Sequence, residues 1–318
     1  MAPEASLSAQ ARPPTLRVRV TVPATSANCG PGFDALGIAL RLYNEVELQE
    51  AAGVAVEIAG EGADRLPRDE HNIVVRGARL VYEAVGRPFR GLRVRQENRI
   101  PPSRGLGSSA SAWLSGILGA DALVGRALSR EQVMELAVAQ EGHPDNLGAA
   151  LYGGLAVTCW DGEARHVLTL PLADDLRFVL LVPDREASTA EARAALPSSY
   201  SRADAVFNVG RTALLLAALV RRRWDCLDVA MRDRLHQPYR SRALFPWLDA
   251  VAEAARVRGA LGVALSGAGP SVLAVVGRDR AAAVASEMES ALRREGQKGA
   301  SLVLEADPEG ARVAEFSD

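Results

Sequence analysis

Lysine is nearly missing from this sequence. Lys298 is the single lysine among 37 basic residues, and all the others are arginine. A Walker A loop needs the tripeptide GK[ST], which does not occur, and Schiff-base chemistry would have to use Lys298. Cysteine is scarce as well. Cys29, Cys159 and Cys226 lie far apart with no CxxC, so neither a disulfide framework nor a zinc ribbon is supported. The histidines, His71, His143, His166 and His236, form no HExxH pair, which excludes a zincin. Charge of one sign is also lacking. A net charge of −2 and a pI near 6.2 argue against nucleic acid or an anionic membrane as the main partner. The longest apolar run, Ala213 to Val220, falls far short of the roughly 20 residues a bilayer requires. Met1 to Thr15 is rich in Ala, Ser and Pro without the apolar stretch of a signal peptide, so it reads as a flexible leader. A cytoplasmic location is expected.

What is present is ordinary globular material: 318 residues, 48% apolar and 24% charged, enough for two compact units or one large α/β unit. Arg17 to Val22 alternates with period two and predicts a strand, followed by a loop from Pro23 to Gly37. Asn44–Gln49 and Val54–Ile58 predict two further strands turning at Ala52-Gly53, and Leu92–Gln96 another. Helical spacing covers Asn72–Val85, with Gly86 placed for a C-cap. Further helices are expected from the glycine-serine segment to about Val124 and from Ser129 to about Glu141. Past Pro171 the reading is a strand at Phe178–Val182, several helices between Ala190 and Arg258, and strands at Gly262–Leu265 and Val272–Val276. A helix at Ala281–Arg294 and a strand at Ser301–Glu305 end it. The change of texture places a domain boundary between residues 160 and 175.

Gly105-Leu-Gly-Ser-Ser-Ala110 matches G-x-G-x-x-A. A dinucleotide fold would turn straight from strand into these glycines and carry an acid about 20 positions on at a strand end. Here Pro101-Pro102-Ser103-Arg104 intervenes and the candidate acid, Glu131, falls within an expected helix. A protein kinase is excluded by the absence of HRD, DFG and a strand lysine. The segment remains a good anion site, because glycines admit a phosphate to the backbone and the first amides of a helix are unpaired. The helix dipole adds about half a positive charge. A tight helix contact built from small residues would look similar. If the ligand is a phosphate, Mg²⁺ or arginine must supply the charge that lysine does not.

Three segments, PATSANCGPGFDALG (23–37), PPSRGLGSSASA (101–112) and LSGAGPSVLAV (265–275), resemble in order the three motifs of the GHMP kinases. That family includes galactokinase, homoserine kinase and mevalonate kinase. EGHPDNLGAALYGGL (141–155), STAEARAALP (188–197) and HQPYRSRALFP (236–246) are most similar to its branch acting on homoserine. The resemblance implies an α+β fold of two domains: an N-terminal one like ribosomal protein S5 domain 2, containing a left-handed βαβ crossover, and a ferredoxin-like C-terminal one. On that scheme residues 1–15 are leader, 16–170 the ATP-binding domain and 171–318 the second domain. The implied reaction moves a phosphoryl group from ATP to the hydroxyl of L-homoserine, a step towards threonine.

The resemblance also implies roles. Pro101, Pro102, Ser103, Arg104, Gly105, Leu106, Gly107, Ser108, Ser109, Ala110 and Ser111 wrap the triphosphate. Ser108, otherwise an N-cap serine, and Glu141 hold Mg²⁺, with Glu135 as the alternative carboxylate. Asn28, Asp34, His143, Asn146 and Thr189 face the amino acid, and Arg193 and Arg240 grip its carboxylate as guanidinium forks. Asn146 stands where mevalonate kinase has its catalytic Asp, and an amide takes no proton at pH 7. Direct in-line transfer without a strong base is therefore expected, with Asn146, Arg240 and Glu141 closest to the chemistry. Ser266 to Ser271 buttresses the phosphate loop. Another acceptor within the family, such as a mevalonate-type alcohol or a sugar, and a non-catalytic ligand sensor are the competing readings. A homodimer is suggested by the family alone.

Overall fold

The alternation that begins at Arg17 starts the first strand of a computed structural model, which describes residues 16–317. The leader expected over residues 1–15 lies outside the described residues. In chain order the first part contains β1 (Leu16–Ala27), β2 (Leu36–Glu50), β3 (Ala55–Gly60), α1 (Ile73–Ala84), β4 (Leu92–Asn98), α2 (Ser108–Leu123), α3 (Arg130–Glu141), α4 (Asp145–Tyr152), β5 (Leu155–Trp160) and β6 (Arg165–Leu170). The second contains β7 (Leu176–Pro183), α5 (Thr189–Ala194), α6 (Arg202–Arg221), α7 (Leu227–Ala230), α8 (Gln237–Ala243), α9 (Leu248–Val257), β8 (Gly262–Leu265), β9 (Val272–Gly277), α10 (Ala281–Arg294), β10 (Gly299–Leu304) and β11 (Arg312–Ser317).

The first sheet runs β11-β1-β2-β4-β3, with β5 on the other end of β2 and β6 beside β5. β4 alternates strictly between buried and exposed, so Leu92, Val94 and Gln96 face α1 and α2 while Arg93 and Arg95 face water. On that wet face Arg19 meets Glu47 of the neighbouring strand at 2.6 Å. Two expectations need correction here. β2 and β3 do not form a hairpin about Ala52-Gly53, because β4 lies between them and pairs with β3 in parallel through the α1 crossover. The chain also does not finish in the second sheet: β11 returns to pair antiparallel with β1, from Leu16 opposite Ser317 to Thr21 opposite Arg312. Asp307, 1% exposed, anchors the return by accepting from Glu309 N, Gly310 N and the Tyr43 hydroxyl.

The second sheet is antiparallel with order β10-β7-β9-β8, which numbered within the domain is the 4-1-3-2 order of a ferredoxin-like βαββαβ unit. Its central strands β7 and β9 are covered on both faces, which explains their uninterrupted apolar runs. Val179, Leu181, Val272 and Ala274 pack on α9 and α10. Phe178, Leu180, Leu273 and Val275 point the other way and share a core with Leu36, Ile38 and Leu40 of β2. The two sheets are thus welded through one apolar layer, and the loops at its edge form a cleft.

Candidate active site

β1 continues past Pro23, where a loop was expected, to Ala27, with a register shift between Pro23 and Ala24. That extension carries Thr25 and Ser26 under the glycine segment, and Thr25 N–H donates to Leu106 O at 3.0 Å. Gly107 is the N-cap of α2, in a left-handed conformation with φ 72°, and Ser108 is the first helical residue rather than the cap. Ser109 and Ala110 follow in the first turn, where main-chain amides have no partner in the helix. The amides of Gly105, Leu106 and Gly107 likewise have no main-chain acceptor among the described residues. Consecutive donors at a helix N-terminus make an anion cradle.

The segment 266–271 holds this cradle from behind. The Ser266 hydroxyl donates to Gly105 O at 2.7 Å and meets the Ser26 hydroxyl at 2.8 Å. Gly105 has φ 74°, and a Cβ there would lie 2.3 Å from Ser266 O, so only glycine fits. Not all of the expected phosphate-loop residues face the cleft. Pro101, Pro102, Arg104, Ala110 and Ser111 are absent from its lining, whereas Ser103, Gly105, Leu106, Gly107, Ser108 and Ser109 form one wall. Arg104 instead ties the loop to the chain after β7, donating to Asp184 O at 2.7 Å and pairing with Glu186 at 3.1 Å. Ala110 and Ser111 are fully buried, and the Ser111 amide is used by Gly107 O.

The cleft holds about 220 Å³, and its opposite wall brings together Asn28, Asp34, Glu141, His143, Asn146, Thr189, Arg193 and Arg240. Glu141, at the C-terminus of α3, accepts from the Ser109 hydroxyl at 2.6 Å. The hydroxyl beside the carboxylate is therefore that of Ser109, while Ser108 lines the same cavity. Glu135 is turned away and bonds Arg165 at 3.1 Å. Asp145, which sequence reasoning passed over, lies 3% exposed at the start of α4 and accepts from Asn146 N–H at 2.7 Å. His143 sits 3.3 Å from Asp145 and 4.0 Å from Glu141. Burial would lower its pKa, but those two carboxylates outweigh burial and the imidazole is held above its usual range.

Arg240 is the unusual group. It is 2% exposed, yet its donors go to neutral acceptors: Nε to Ala192 O at 3.2 Å, and Nη1 to Gly267 O at 3.0 Å and His236 Nδ1 at 3.1 Å. Burial lowers its pKa to about 10, so it remains a cation at neutral pH. Since guanidinium only donates and the Gly30 carbonyl, 2.7 Å from His236 Nε2, only accepts, His236 must be neutral with its proton on Nε2. Complete burial accordingly pushes the His236 pKa down. Arg193 pairs with Asp34 at 2.7 Å. Phe33, another residue that sequence reasoning missed, lies beneath both guanidinium groups, 5.6 Å from Arg193 and 5.5 Å from Arg240, and stacks on His236. Asn28 lines the cavity, but its amide is engaged at both ends, donating to Gly267 O and accepting from Asp34 N–H.

Comparison with known proteins shows the family. Residues 72–154 match the GHMP kinases N terminal domain and residues 215–294 the GHMP kinases C terminal domain. The homoserine kinase of Trichormus variabilis is 43% identical over 296 residues, covering 92% of this chain and 98% of that protein. The homoserine kinase of Moorella thermoacetica is 44% identical, covering 88% and 94%. Among solved structures, homoserine kinase from Cytophaga hutchinsonii superposes with a TM-score of 0.85 at 28% identity, covering 97% of this chain and all of that one. L. major mevalonate kinase in complex with R-mevalonate, at 17% identity and a TM-score of 0.67, shares the fold.

Proposed function

The chain belongs to the GHMP kinase family, and on that premise we propose that it transfers the γ-phosphoryl group of ATP to the hydroxyl of L-homoserine, giving ADP and O-phospho-L-homoserine. It is an ATP-dependent phosphotransferase with an alcohol as acceptor. One observation carries the choice of acceptor: Arg240, a buried guanidinium whose direct hydrogen bonds among the described residues go to neutral acceptors, faces the same small cavity as the amide cradle. A site of that kind asks for an anion, and homoserine offers a carboxylate whose carbon is four bonds from the reacting hydroxyl oxygen.

The amides of residues 105–109 would hold the β- and γ-phosphates. The amino acid enters as a zwitterion between Asp34 and Arg193, its ammonium taking the place of Arg193 on Asp34 while its carboxylate joins Arg193 and Arg240. Each charge of that pair finds an opposite one, so neither is left buried alone. Thr189 borders the same end. Asn146 presents its amide to the acceptor hydroxyl. As the hydroxyl oxygen attacks the γ-phosphorus in line, the bond to the β-phosphate oxygen breaks, ADP leaves, and the hydroxyl proton passes to an oxygen of the transferred group. A loose transition state makes little use of a strong base.

The donor set fits Mg²⁺, which prefers one or two carboxylates with phosphate oxygens and water. Glu141 with Ser109, or with Ser108 beside it, supplies one carboxylate and a hydroxyl, and the described residues contain no ready cluster of three metal ligands. When bound, the ion would offset phosphate charge in a site without lysine.

We assign residues 16–170 as the nucleotide half and 171–318 as the half carrying Arg193 and Arg240, with β11 returned to the first sheet. A second copy of the chain is the proposed partner of α6, on which Val206, Val209 and Val220 are 66%, 71% and 63% exposed. ATP dependence is consistent with a cytoplasmic location. The direct test is ATP consumption with Mg²⁺ over homoserine, mevalonate, galactose and shikimate. Turnover confined to homoserine supports the reading, and turnover on another alcohol or on none defeats it.

A further inference from the structure

Thr25 touches neither the cavity nor any residue assigned to the amino acid except one. It is fully buried near the end of β1, and its hydroxyl lies 2.7 Å from Asn146 Oδ1. The direction of this bond is fixed by a third group. Asp145 Oδ1 stands 3.4 Å from Asn146 Nδ2, so turning the amide over would set one acceptor oxygen against another. Asn146 must therefore aim Oδ1 at Thr25, and Thr25 must donate. Gly107 completes the lock. A Cβ there would lie 2.0 Å from the Thr25 hydroxyl and 3.2 Å from Asn146 Oδ1. The phosphate cradle, β1 and α4 therefore meet at this one hydroxyl, and Thr25 N–H fastens the same strand to Leu106 O.

We infer that Thr25 is a positioning residue for phosphoryl transfer: it holds the Asn146 amide with its N–H edge towards the acceptor hydroxyl and at a fixed distance from the phosphate cradle. The inference rests on the kinase reading and sharpens it. With Nδ2 donating to the hydroxyl oxygen, the hydroxyl proton is turned away from Asn146 and towards the phosphate. Small displacements of a reacting group cost up to about 100-fold in rate.

The experiment uses the full chain and whichever alcohol the wild type phosphorylates, so that failure of the acceptor assignment shows separately, as absence of wild-type turnover on homoserine. Thr25→Val keeps the shape and removes the hydroxyl, Thr25→Ser restores it, and Asn146→Ala provides the background. The expected result is a kcat lowered about 10- to 100-fold in Thr25→Val, KM values for both substrates within about threefold, and recovery in Thr25→Ser. Thr25→Val added to Asn146→Ala should cost nothing further, since residues acting through one contact are not additive. Wild-type kcat in Thr25→Val, or an equal loss in both backgrounds, would overturn the inference. Thermal unfolding of Thr25→Ser and Thr25→Val checks that both fold.

Discussion

At the scale of single residues, the site is organised by which groups can only donate and which can only accept. Arg240 and the Gly30 carbonyl between them leave His236 one tautomer, and that neutral imidazole lets a buried cation keep its charge for a ligand. Removing Arg193 should raise KM for homoserine by roughly 100-fold, the scale of one charge-assisted pair, with KM for ATP unchanged; steady-state kinetics of Arg193→Ala checks this. Glu141→Gln should lower kcat at least about 100-fold and weaken the Mg²⁺ dependence, with Ser109→Ala milder, as a Mg²⁺ titration would show. His236 also shapes acid stability. Its folded pKa is depressed below the ordinary 6.5, so below that pH the unfolded chain binds a proton the folded chain refuses, and stability falls with pH. His236→Gln should show a shallower loss of stability as pH falls below about 6.5, measured by denaturant unfolding.

At the scale of elements, the three segments that resembled family motifs are three sides of one cradle: β1, the turn into α2, and the turn between β8 and β9. Gly105→Ala pushes a Cβ against Ser266 O in a left-handed backbone, and should weaken ATP binding at least tenfold and cost about 1–3 kcal/mol of stability. Calorimetry with ATP and thermal unfolding measure the two. Helix α6 is twenty residues long, and its buried residues are Asn208, Leu215 and Ala218. Its exposed Val206 and Val209 follow a spacing suited to a partner helix; on the proposed pairing of two copies through α6, light scattering should find the wild type dimeric and Val209→Asp monomeric. Elements with strong local signals were legible: α1 with Asn72 as its N-cap, α3 with Ser129 in a capping box, and the apolar runs of β7 and β9. What was not legible was non-local. Nothing in residues 44–58 says that β4 will insert between β2 and β3, and β11 is defined by a partner nearly 300 residues earlier. Helix α4 was hidden by its length of eight residues and its start after Pro144.

At the scale of the whole molecule, the cleft exists because two sheets share one apolar layer, which sets the cradle of the first part opposite the arginines of the second. The glycine segment and the arginine-bearing helices could be picked out from the sequence, but their meeting was implied only by the family resemblance and not by the local pattern. Phe33 and Asp145 escaped because a lone aromatic in a loop and an acid within His-Pro-Asp-Asn gain meaning only from what surrounds them. The single lysine is a control. Lys298 is exposed and lies outside the lining of the cleft, so Lys298→Met should leave kcat/KM unchanged. The most direct measurement is a crystal structure of the chain with a non-hydrolysable ATP analogue, Mg²⁺ and L-homoserine. The expected density places phosphate oxygens within hydrogen-bond distance of the main-chain nitrogens of residues 105–109, and a carboxylate between Arg193 and Arg240. Nucleotide bound elsewhere, or phosphates held by side-chain cations with those amides bare, would contradict the account.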